Sequence, residues 1–64
     1  MSTEKKHQIL LQFKSRLEPD IVLVELLQVG DAYIARVSGE DDVVLNSYSE
    51  GVDYANAKNS EFYL

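Results

Sequence analysis

The apolar pattern of this chain predicts an α+β fold, α-β-β-β-α, with a three-stranded antiparallel meander and helices packed on one face. Three observations carry that expectation. Residues 3–18 place Ile9, Leu10, Phe13 and Leu17 on one arc at helical spacing. Residues 21–48 fall into three apolar runs separated by Gly30-Asp31 and by Gly39-Glu40-Asp41-Asp42. Residues 49–59 open on a serine followed by acids in the next turn, as a helix start does.

In the first element Ser2 or Thr3 is placed to cap, because a short side-chain oxygen accepts from the free N–H groups of a first helical turn. Leu11 falls on the polar side of that helix and reads as a single exposed leucine, with a partner contact as the alternative. Glu18-Pro19-Asp20 ends it, since proline disfavours helical backbone at the residue before it.

Residues 21–29 read as a strand, because three of the first four are β-branched and Pro19 and Gly30 bound the run. A helix competes, with Leu26, Leu27 and a Gly30 stop in its favour. The lack of a polar stripe at a period of 3.6 favours the strand. Val22, Val24 and Leu26 form one face; Ile21, Leu23, Leu27 and Val29, interrupted by Glu25, form the other. An antiparallel strand with one wet face alternates, so both faces here ask for cover: helices on one, a second subunit on the other.

Residues 32–38 and 43–48 complete the meander through short local connections. In the last element Ser49 is the expected cap, Glu50 and Asp53 suit the positive helix end, and Val52, Ala55, Asn59 and Phe62 lie near one face. Gly51 and the asparagines weaken this helix. For Glu61-Phe62-Tyr63-Leu64 three outcomes stay open: more helix, an added strand, or fraying.

The chain has 64 residues, no Cys, no Trp and one His. It reads as a single small domain, 1–64, with a marginal core and no disulfide or usual zinc ligand set to staple it. Hydrophobic residues make up 45% and charged residues 27%, which suits a folded rather than a disordered chain. No apolar run approaches the ~20 residues of a membrane span. The charged opening leads into an amphipathic stretch rather than an apolar signal-peptide core, so a soluble, cytoplasmic protein without membrane association is expected.

Charge is unevenly placed. Residues 1–18 set Lys5, Lys6, Lys14 and Arg16 against Glu4 and Glu18, a net of +2. Residues 19–64 set Arg36 and Lys58 against nine acids, a net of −7, and the whole chain carries −5. Such an acidic body repels phosphate backbones and disfavours nucleic acid. It suits a soluble surface, or one that docks on a basic protein patch.

The element order resembles that of double-stranded RNA-binding domains, but those start the last helix with a Lys-rich motif and this chain has Glu50-Gly51-Val52-Asp53. Tyr33-Ile34-Ala35-Arg36-Val37 followed by Ser49-Glu50-Gly51-Val52-Asp53-Tyr54-Ala55 is similar to the hairpin and helix start of HicB-type antitoxins. That resemblance covers the last half of the chain and implies a strand-strand-strand-helix unit.

Little of the sequence points to chemistry. His7 has no nucleophile beside it, and Ser38, Ser47, Ser49 and Ser60 have no base, so they read as turn or cap residues. Glu40-Asp41-Asp42 lacks the ligand number and EF-hand spacing of a cation site. Gly30, Gly39 and Gly51 are isolated and form no phosphate loop. No catalytic residue, cofactor or metal is expected, and the chain is not expected to be an enzyme. What remains is surface. Tyr33, Tyr48 and Tyr54, with Glu40, Asp41, Asp42, Glu50 and Asp53, form the expected protein interface, tyrosine giving contact area at little entropic cost. The expected function is therefore that of a small acidic protein, of viral or prophage type, that inhibits or regulates another protein by binding it. Alternatives are an antitoxin-like regulatory homodimer and a nucleic-acid-binding domain using the basic N-terminal helix.

Overall fold

A computed structural model describes residues 7–63 of the chain. They form four strands and one helix in the order β1 (His7–Lys14), β2 (Val22–Val29), β3 (Ala32–Val37), β4 (Val43–Leu45) and α1 (Tyr48–Glu61). The strands make one antiparallel sheet in sequence order, with β2 and β3 central. The architecture is thus β-β-β-β-α, a four-stranded meander with a C-terminal helix packed on it. No helix among the described residues is long and apolar enough to cross a membrane.

The expected first helix is corrected: residues 7–14 of it are strand, and residues 1–6, with the expected caps Ser2 and Thr3, lie outside the described residues. The stretch satisfies two periods. With Leu10 set aside, Ile9 and Gln12 fall on one face and Leu11 and Phe13 on the other. The structure sets Leu10 aside with a register shift between Ile9 and Leu11, so Ile9 faces Leu27 and Leu11 faces Leu26. Pairing along β2 then decides for the strand. Leu11 is half-buried against the core, not singly exposed as expected, while Leu17, placed on the helical stripe, is 92% exposed. The β1–β2 loop is held by the Ser15 hydroxyl, which accepts from the N–H groups of Leu17 and Glu18.

The run at 21–29 is a strand over Val22–Val29, as expected. Its two faces have different cover. Val24 and Leu26 are fully buried beneath α1, where Val24, Val37 and Ala55 make the core, with Leu11, Phe13 and Tyr54 packed around it. Leu23, expected on the opposite face, packs there too, because the β1–β2 register shifts past it between Phe13 and Lys14. Each fully buried aliphatic side chain contributes about 1.5–3 kcal/mol. Gly51, which weakens the helix in sequence terms, is buried where α1 comes nearest the sheet, against Leu26.

The turns hold their expected places, Gly30 at φ 61° and Gly39 at φ 85°, where a side chain is strained. The third strand of the meander, expected to reach residue 48, stops at Leu45, because the helix begins at Tyr48. The cap is Ser47 rather than Ser49: its hydroxyl accepts from the Glu50 N–H at 3.1 Å. The Glu50 carboxylate in turn accepts from the Asn46 N–H at 3.2 Å, so serine and glutamate close the helix start reciprocally. The helix ends at Glu61, with the Phe62 N–H bonded back to Asn59.

Candidate functional site

The register of the sheet places Ile9, Leu27, Ile34 and Val44 side by side, one from each strand. This row lies on the face opposite α1. Side chains alternate along a strand, and the neighbours Leu26 and Ala35 belong to the buried side. At the centre of the row Leu27 is only 3% exposed, shielded by its neighbours. At its ends Ile9 is 55% and Val44 68% exposed. The single helix among the described residues lies on the other side of the sheet, and the row meets solvent at its ends, Ile9 and Val44.

One step along the sheet runs a polar ladder on the same face. Gln12 pairs with Glu25 and Glu25 with Arg36. The Gln12 amide donates to the Glu25 carboxylate at 3.1 Å. Arg36 lies 3.7 Å from the other Glu25 oxygen and donates to both Asp42 oxygens at 3.1 Å each. The fork-to-fork geometry fixes orientation as well as charge. Its hydrogen bond holds Asp42 below the usual carboxylate range and raises the Arg36 guanidinium above its ordinary value. One cation thus sits between two carboxylates.

The expected interface residues are spread around the molecule. Tyr33 and Tyr48 meet edge to face, ring centroids 6.4 Å apart, near the start of α1 and beside Glu50. Glu40 is at the other end of the helix, its carboxylate 3.1 Å from Lys58 Nζ. A 14-residue helix is about 20 Å long, so Glu40 and Glu50 do not share one contact patch. Lys58 is raised above its ordinary value by its hydrogen bond to Glu40, lies 3.8 Å from Glu61, and sits over the Tyr54 ring at 5.6 Å. Asp53 projects from the helix into solvent and Asp41 from the β3–β4 turn. Asp42 alone of the acidic set borders the apolar row.

Two further features carry less. A cavity of about 290 Å³ lies between Ser38, Gly39, Glu40, Lys58, Glu61 and Phe62, but its one cation is already held by two carboxylates. Arg16 stacks 4.6 Å over the Tyr63 ring, tying the β1–β2 loop to the end of the chain. Among the described residues no three His, Cys, Asp or Glu side chains are grouped to hold a metal ion.

Leu27 announced the open face in the sequence, through a strand apolar on both sides. Ile9, Ile34 and Val44 were missed. The first was read on a helix, and the row exists only through the register of four strands. No protein-family model, curated protein or solved structure matches the chain.

Proposed function

We propose that this chain is a small acidic, non-enzymatic protein that acts by binding another protein chain, through the open face of its sheet. The observation that carries the proposal is the row Ile9–Leu27–Ile34–Val44, which spans all four strands and ends in two exposed aliphatic side chains. Removing such a row from water is favourable by about 25 cal/mol per Å² of apolar area. The Gln12–Glu25–Arg36–Asp42 ladder lies beside it as an ordered polar rim, the arrangement of an apolar centre bordered by polar groups that protein contacts use. A partner seated there orients against the fixed Arg36 fork. Inhibition or regulation then works by occlusion, since a chain lying on this face covers whatever surface of the partner it touches.

The test is photocrosslinking in cells that express the protein. A benzophenone amino acid replaces Val44 in one variant and the exposed helix residue Asn56 in another. The expected result is a discrete protein adduct from position 44 and none from position 56. Equal yields from the two positions, or none from position 44, reject the face as a contact.

A further inference from the structure

We propose that the chain seated on the open face is a second copy of this one, stacked sheet to sheet about a two-fold axis. This rests on reading that face as a protein contact, and names its occupant. The argument is electrostatic and geometric. Two molecules of net charge −5 repel in most orientations. Among the described residues, Glu50, Asp53 and Glu61 lie on α1, and Glu18, Asp20, Asp31, Glu40 and Asp41 lie on turns and loops. Of the described acids only Glu25 and Asp42 border the open face, and both are bound to Arg36. A face of single sign cannot stack on itself, whereas this one, with its cation between two carboxylates, can. In the stacked arrangement each acidic helix points away from the contact, so the strongest repulsion is held at the greatest distance. Two sheets packed this way sit about 10 Å apart, with the apolar rows interdigitated.

Size sets the strength. Four strands about 4.8 Å apart, the longer ones six to eight residues at about 3.3 Å per residue, give a face of roughly 19 by 23 Å. That is about half the footprint of a standard contact, about 800 Å² per partner, so association is weak, with a dissociation constant on the order of 10 µM or above. Growth through the strand edges is a poorer route to a dimer. β4 offers three residues, and the β1 ladder is interrupted by the irregularity at Leu10.

Sedimentation equilibrium of the full chain tests this, from about 1 to 500 µM protein, a span that brackets the expected constant. The expected result is a monomer–dimer equilibrium that tightens about threefold or more between about 50 and 500 mM NaCl, because salt screens the −5 on each copy. Val44→Lys is expected to weaken it at least about tenfold, by placing two cations in the dry contact. Circular dichroism checks that the variant keeps its fold; if it does not, Val44→Thr, which keeps the shape and adds one hydroxyl, is expected to weaken the dimer measurably. A strict monomer at the highest concentration overturns the proposal, as does a dimer indifferent to both substitutions or one that loosens with salt. If position 44 crosslinks to a different protein while the chain stays monomeric, the binding face stands and the second copy falls.

Discussion

Gly51 of the helix and Leu26 of the central strand stand so close that a Cβ on residue 51 would lie 2.6 Å from Leu26 Cδ1 and 3.0 Å from Cδ2. Leu26 is fully buried and has little room to yield. This pair sets how near α1 lies to the sheet. Gly51→Ala gains about 1 kcal/mol of helix propensity but overpacks the core at a cost of about 1–3 kcal/mol. We expect a net loss of about 1 kcal/mol, a fall in melting temperature of about 4–8 °C for a domain of this size. Leu26→Val in the Gly51→Ala background should recover part of the loss, a favourable coupling read from a double-mutant cycle. A more stable Gly51→Ala protein would falsify the close approach.

The position of the helix cap separates two serines that look alike in the sequence. Ser47→Ala removes the acceptor for the Glu50 N–H and should cost about 0.5–2 kcal/mol. Ser49 lies inside the first turn, and Ser49→Ala should change stability by less than about 0.5 kcal/mol. Urea denaturation of the two variants decides the matter, and a larger loss at Ser49 places the cap where the sequence alone put it.

The same comparison shows which parts of the fold were legible. The three strands after residue 21 and the C-terminal helix follow from local signals: Gly30 and Gly39 at positive φ, β-branched runs, and a serine before acids. β1 does not, because Ile9, Leu11 and Phe13 serve a strand while Ile9, Leu10, Phe13 and Leu17 serve a helix. The choice between them is made by pairing with β2, with register shifts between Ile9 and Leu11 and between Phe13 and Lys14. The open face was half legible for a related reason. Leu27 shows on a strand with two apolar sides, but the ends of its row, Ile9 and Val44, come from edge strands whose register no local pattern specifies.

The strand at 7–14 makes its own prediction about two leucines. Leu11 packs toward Val24, Val37 and Ala55, so Leu11→Ala should destabilise by about 1–3 kcal/mol, less than a fully buried leucine because the residue is only half-buried. Leu17 protrudes from the β1–β2 loop, and Leu17→Ser should stay within about 0.5 kcal/mol of the parent. A helix over 3–18 requires the opposite order, so thermal melts of the pair discriminate directly.

Asn59 Oδ1 is shut off from solvent with no hydrogen-bond partner. Such a group forfeits its hydration, at about 1–3 kcal/mol. Leucine is branched at the same carbon and carries no polar atom. Asn59→Leu is therefore expected to raise stability by about 1 kcal/mol, part of the gain being lost to imperfect fit. A neutral or destabilising result in chemical denaturation means that the amide has a partner in solution.

The ladder on the open face predicts a pH signature. Asp42 is held below the usual carboxylate range, first by its hydrogen bond to Arg36 and then by the charge of that group. Its folded value lies below its unfolded one. The pair therefore contributes stability above the ordinary carboxylate value, about 3.9, and loses it as pH falls further, through the folded value. Both side chains are about half exposed, so the contribution at neutral pH is small, and Asp42→Asn should leave the melting temperature there nearly unchanged. The difference appears in acid. The parent should lose stability more steeply below about pH 4 than Asp42→Asn, which has no proton to take up at that position. Carbon-detected NMR titration reads the cause: the Asp42 carboxyl midpoint should move up toward its ordinary value in Arg36→Met. An unmoved midpoint removes Arg36 as its source, and with it the fixed fork that orients a partner on the open face.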